Sequence, residues 1–253
     1  IQYRFCIFLF LFPLFAFNSC IAQNMNNDQK TTHTSANEKS PVPEQLPPLS
    51  EQQKQIIKTI GGEILEDQNI RIGGITIHRR ERELSFPGLI NMTSGPIEVL
   101  ICTQTGRMHE SLLRTKADPF QLQLALILLG AENGARKSGL SIPQGSLMDI
   151  EITADDKTRT PVENFILNKK TDKHMEQNGW VFVGSSFTHD GKSMATEEGN
   201  LVLTWSCGNT VLDNPSDDGD NDDNYDIIAG KTPPFESPVT IFIKFRKSEV
   251  KKQ

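Results

Sequence analysis

Asp118-Pro119-Phe-Gln121-Leu122-Gln-Leu124-Ala125-Leu126-Ile127-Leu128-Leu129-Gly130 is the stretch on which the fold turns. Asp118 suits a helix N-cap and Pro119 the first helical position. Gln121 stands where an Asp-x-x-Gln capping box needs it. Gly130 is placed to end the helix. Between these signals hardly any polar face remains, and a helix apolar all round is a buried one. The sequence therefore predicts one buried apolar helix, at about 118–129, covered by sheet.

Strand signals flank it on both sides. Ile70-Arg-Ile72, Gly73-Gly74 and Ile75-Thr-Ile77 read as a hairpin on a two-glycine turn. Glu83 to Phe86 is a short strand ended by Pro87-Gly88, and Ile97 to Cys102 is a buried one. Gln104-Thr-Gly106 turns the chain, so that Met108 to Thr115 returns antiparallel. Leu147–Thr153, Trp180–Val183, Leu201–Trp205 and Val239–Arg246 follow. In the last, Val239, Ile241, Ile243 and Phe245 alternate with Thr240, Lys244 and Arg246, with Phe242 breaking the polar face. Strands before and after a lone helix predict an α+β domain with a mainly antiparallel sheet packed around that helix.

The chain opens Ile-Gln-Tyr-Arg4 and runs apolar from Phe5 to Phe17. That is a secretory signal pattern, and the run is shorter than the roughly 20 residues of a membrane span. Two processing routes are open. Phe17-Asn-Ser-Cys20 resembles a bacterial lipoprotein box with Cys20 as the lipidation site, whereas Cys20-Ile-Ala22 allows cleavage before Gln23 and a soluble product. Residues 23–55 read as a disordered linker, polar and nearly free of aliphatic side chains from 23 to 50. The expected limits are a signal at 1–22, the linker at 23–55, a domain at 56–248 and a tail at 249–253.

The net charge is −6, with seven Asp and no Lys or Arg between Asp213 and Asp226. The rest is near neutral and lacks a basic patch, which argues against a nucleic-acid partner. Contact with a membrane is expected only through a lipid anchor. Cys102 and Cys207 fall in apolar runs within the folded part, and two readings stand: a disulfide in an oxidising compartment, or two buried thiols.

Phe86-Pro-Gly-Leu-Ile-Asn91, Gly95-Pro-Ile-Glu98-Val-Leu and Gly106-Arg-Met-His109-Glu110-Ser-Leu-Leu113 resemble the YdjY-type domain of exported bacterial proteins. The likeness continues through Asp118-Pro119, Ala125 to Gly130, Trp180-Val-Phe-Val-Gly184-Ser185 and Leu212-Asp-Asn-Pro215. It runs from about Ile60 to Phe245. It implies a secreted or lipid-anchored envelope protein and carries no established activity.

Two groups of residues have the chemistry for a site. Arg107, His109 and Glu110 offer a base, a carboxylate to orient it and a cation for an anionic ligand near the helix N-terminus. In a regular strand His109 and Glu110 would face opposite sides, so a dyad requires a bulge. The second group is Asp218, Asp220, Asp222 and Asn224, which alternate oxygen ligands as calcium loops do, without the Gly and Glu of an EF-hand. The alternative for each is structural: satisfied backbone groups, and a solvated loop. The expected function is a noncatalytic binding or interaction module of the envelope, its partner an envelope protein or a small anionic ligand. The rivals are a hydrolase-like or metal-assisted enzyme around His109 and Glu110, and a calcium-stabilised structural domain.

Overall fold

In the computed structural model of the chain, residues 48–134 and 145–246 are described. The expected signal with Cys20, most of the linker and the tail at 249–253 lie outside them.

Helix α1 (Glu51–Thr59) comes first. Ser50 caps it, accepting from the Gln53 amide while the Gln53 side chain accepts from the Ser50 amide. Residues 51–55, expected as linker, are therefore helical, and Leu49 and Ile57 are buried. The reciprocal cap and these two apolar anchors offset the polar composition.

Strands β1 (Gly62–Ile64), β2 (Ile70–Ile72), β3 (Ile75–His78) and β4 (Glu83–Ile90) form an antiparallel meander, with the predicted turn at Gly73-Gly74. Strand β4 does not stop at Pro87. Proline lacks the N–H of a central ladder, but here the partner on one edge changes: β3 pairs with residues 83–85, and 88–90 pair with a later strand. Pro87 lies in the gap, where that edge needs no donor.

Next come β5 (Gly95–Pro96), β6 (Val99–Thr103), a single 3-10 turn at Met108–Glu110, and β7 (Ser111–Thr115). Strands β6 and β7 are parallel, not antiparallel as expected, with Val99 opposite Ser111 and Ile101 opposite Leu113. The 104–110 loop carries the chain back past the start of β6, where the Glu98 amide donates to the Glu110 carbonyl at 3.1 Å. Glycines permit this path. A Cβ on Gly106 would sit 2.6 Å from the Gly199 carbonyl oxygen, and one on Gly199 2.6 Å from the Gly106 nitrogen.

Helix α2 (Pro119–Leu128) lies where predicted, with the Asp118 side chain accepting from the Gln121 amide. The reverse arm of the capping box is replaced: the Gln121 side chain rests against Gly73 of the β2–β3 turn. At the other end the Ala131 amide donates to the Leu126 carbonyl and the Gly130 amide to that of Ile127, a Schellman ending with Gly130 at φ +92°.

The remaining elements are β8 (Leu147–Thr153), β9 (Thr160–Pro161), a 3-10 turn at Val162–Phe165, β10 (Ile166–Asn168), β11 (Lys173–His174), β12 (Trp180–Phe182), α3 (Met194–Glu198), β13 (Asn200–Leu203), β14 (Leu212–Asp213), β15 (Tyr225–Ile227) and β16 (Pro238–Phe245). Strands β11-β10-β15-β5 make a small second sheet. In the main sheet the order β4-β16-β8-β12-β14-β13-β6-β7 returns to β4. The eight strands thus close into a mixed, largely antiparallel barrel, and the α+β class holds.

Closure overturns the expected place of α2. Side chains alone fill an eight-stranded barrel, here Phe86, Ile101, Ile150, Ile152, Ile241 and Ile243 among others. The helix packs instead on β3, β13 and α3. It buries Leu122, Ala125 and Leu126 and leaves Leu124, Ile127 and Leu128 half-buried. Among the described residues no helix is long and apolar enough to cross a membrane.

Candidate functional site

The 3-10 turn decides the geometry of the predicted motif. It removes the alternation of a strand, and His109 Nε2 comes 3.4 Å from Glu110 Oε1. Asn91 holds the turn from below: its buried amide donates to the Met108 carbonyl at 2.5 Å and to that of Ser111 at 2.8 Å. The structure adds a fourth member that sequence reasoning missed. Arg107 Nη1 meets Glu98 Oε2 at 2.6 Å, while Glu110 Oε2 lies 3.9 Å away. Burial first, then the Glu110 carboxyl hydrogen-bonded to it, holds the Glu98 carboxyl above the usual range, against the opposing pull of Arg107.

Chemically this group is self-contained. The Arg107 charge is neutralised by Glu98, so it offers little to an anion. At the start of α2 the Gln121 amide is likewise engaged by the Asp118 side chain and the Leu122 amide by the Asp118 carbonyl. The His109 side chain is 77 % exposed, and among the described residues the surface cavities of about 770, 550 and 430 Å³ are lined by neither Arg107, His109 nor Glu110. The nearby thiol of Cys207 is no activated nucleophile. Burial pushes it up to about 11, with Arg107 only partly opposing, and the reactive form is the thiolate. Cys102 is buried and Cys207 half-buried; both are free thiols that pack on one small cluster with Val99 and Leu203.

The acidic loop folds into two 3-10 turns, Asp217–Asp220 and Asp222–Asn224. Asp218 already has its cation, Lys170 Nζ at 2.8 Å, and accepts from Asn168 Nδ2 at 3.0 Å; these two bonds hold its carboxyl below the usual range. Asn224 is buried, with Oδ1 accepting from the Lys170 amide. Asp220 and Asp222 stay exposed. Among the described residues no group of three or more His, Cys, Asp or Glu is arranged to hold a metal ion. The four loop residues do not come together as calcium ligands.

The most developed charge pattern lies elsewhere, on the outer face of β4, β16 and β8. Phe242, which broke the polar alternation, is covered by the Arg159 guanidinium, 3.5 Å from its ring centroid. Arg159 also makes a two-pronged pair with Glu83, at 2.8 and 2.9 Å. Beside it Lys244 reaches Glu151 at 2.6 Å and Arg246 reaches Asp149 at 2.9 Å, across the β16–β8 ladder. Where β8 meets β9 this face opens into a cleft of about 770 Å³. Its lining includes Glu163, which is only 4 % exposed and accepts from the Trp180 indole N–H at 2.9 Å. Burial pushes the Glu163 carboxyl up to about 7, opposed by a hydrogen bond from its own backbone, then by the Trp180 bond and the Arg246 charge, with Asp149 adding to the rise. No motif pointed to Glu163. The only trace in the sequence is a single charge in an otherwise uncharged run, Pro161-Val-Glu-Asn-Phe165.

A second cavity, about 550 Å³, lies beside the β4–β7 junction, with Pro87, Leu89, Lys116 and Pro238 in its wall. Its other base, Arg114, is paired with Glu236.

Compared with known proteins, residues 75–244 match the family model described as the YdjY domain. No curated protein and no solved structure matches the chain.

Proposed function

The chain belongs to the YdjY domain family, and on that premise we propose that it is an exported bacterial envelope protein that binds a ligand rather than converting one. The observation that carries this reading is the outer-face cleft of about 770 Å³. Its volume falls within the range of small-molecule sites, roughly 300–1,000 Å³. It is built on rigid strands, and its charged lining is largely paired before any ligand arrives. Export rests on the apolar run Phe5–Phe17, with either lipidation at Cys20 or cleavage after Ala22.

The enzyme reading draws on the His109–Glu110 contact alone. It has an exposed histidine, an arginine already paired and a thiol held in its protonated form. A catalytic constellation needs those groups facing a substrate-sized space.

Two measurements test the proposal. The full chain, expressed in a bacterium and fractionated, is expected in the envelope with its leader removed; uncleaved chain in the cytosol refutes export. The purified protein is expected to turn over no chromogenic ester, peptide or phosphoester. Turnover that disappears in His109→Ala or Glu110→Gln refutes the binding reading.

A further inference from the structure

The cleft contains one acid whose only side-chain partner is neutral. Its bases are engaged: Arg246 with Asp149 at 2.9 Å, Lys244 with Glu151 at 2.6 Å, and Arg82 stacked 4.5 Å over the Phe245 ring. Glu163 has the Trp180 indole N–H, and among the described residues no basic side chain stands within ion-pair distance of it. A buried carboxylate without a countercharge is costly, and a cation arriving in the cleft would remove that cost. The other unpaired acid of the lining, Glu81, is exposed. For an anion the lining offers only Arg82, exposed and stacked on Phe245, since Lys244 and Arg246 are held in ion pairs. A metal ion lacks its ligand set, since the carboxylates do not converge on one point.

We infer that the outer-face cleft is a binding site for an organic cation, whose ammonium group pairs with the carboxylate of Glu163 at the cleft wall. The inference rests on the reading of the chain as a binding module and names its ligand class. The cleft volume, about 770 Å³, has room for a cation that carries a chain or ring beyond its ammonium group.

Proton and ligand then compete for one carboxylate. The charged groups facing Glu163 are Asp149 and Glu151 from β8, Lys244 and Arg246 from β16, and Arg82 and Glu81 from the β3–β4 turn; no histidine lines the cleft. Glu163 is thus the group that titrates near neutrality, at about 7. Its ionised fraction rises about tenfold between pH 6 and pH 8, and affinity for a cation should rise by the same factor.

The test uses the full chain with putrescine as probe, titrated calorimetrically at pH 6 and pH 8. Trp180 fluorescence in a Trp205→Phe background gives a second readout, since these are the two tryptophans. The expected result is binding about tenfold tighter at pH 8. In Glu163→Gln, which keeps an acceptor for the indole, binding should weaken at least tenfold at pH 8 and lose its pH dependence. Equal affinity at the two pH values, unchanged binding by Glu163→Gln, or preference for propionate over putrescine each overturns the inference. Should the variant not fold, the wild-type pH profile decides. Failure here leaves the fractionation and turnover results untouched, so the two readings fall separately.

Discussion

Replacing Glu163 by Gln should make the protein more stable at neutral and alkaline pH, with a gain that grows as pH rises. In the unfolded chain this carboxyl loses its proton near the ordinary value of 4.5; in the folded chain burial delays that loss to about 7. Between those values the native state holds a proton that the unfolded state has released. Stability therefore falls as pH rises through the window and levels off above pH 7. A difference from 4.5 to about 7 corresponds to about 3 kcal/mol, of which about 2–3 kcal/mol develops between pH 5 and pH 8. Glutamine is neutral throughout and keeps the oxygen that accepts from Trp180. Urea unfolding of both proteins at pH 5, 6, 7 and 8 gives the difference directly, because the other titrating groups are common to both. A wild-type-minus-variant difference that stays flat with pH refutes the reasoning, whatever its absolute size.

Three further outcomes follow from the geometry. Arg159→Met removes both bonds to Glu83, whose side chain is 8 % exposed, while keeping some cover over Phe242; a loss of about 1–3 kcal/mol is expected by urea unfolding, and under 0.5 kcal/mol would show the pair contributes nothing. Gly130→Ala meets no neighbouring atom but must hold φ near +92°, so it should cost about 1–2 kcal/mol with an unchanged denaturant slope. Cys207 should react with iodoacetamide at pH 8 about a hundredfold more slowly in the native than in the unfolded chain, and before buried Cys102; rapid native labelling at pH 7 would contradict a thiol held at about 11.

What could be read from the sequence is what short-range chemistry decides. The β2–β3 hairpin, the capped start of α2 and its Gly130 ending each depend on residues within a few positions of one another. The alternation in Val239–Phe245 likewise declared its inner face, and the structure buries Val239, Ile241 and Ile243. What escaped depends on distant partners. Pro87 ends a strand in isolation, but not where two strands share one edge of β4. The leucines of α2 indicate burial without saying that the barrel is already full. Arg107 was visible as a cation, yet Glu98, which neutralises it, sits beyond a strand and a turn. Arg159 and Glu83 lie 76 positions apart, and Glu163 and Trp180 lie 17 apart on separate elements. Nothing in the local sequence marks either pairing.

The pairing of β4 with β16 has a consequence for how the chain reaches this state. Leu84 faces Ile243, so the ring closes only when segments from opposite ends of the domain meet. Contacts of such long sequence separation are late and slow to form, because loop-closure entropy must be overcome before they contribute. The β2–β3 hairpin and α2 can form early from local contacts, whereas the barrel waits for its last strand. Until β16 docks, β4 and β8 each present an open edge with apolar residues on one side, the kind of template that recruits other chains. The final strand is thus the seam of the molecule, and its arrival separates a closed barrel from an aggregation-prone intermediate.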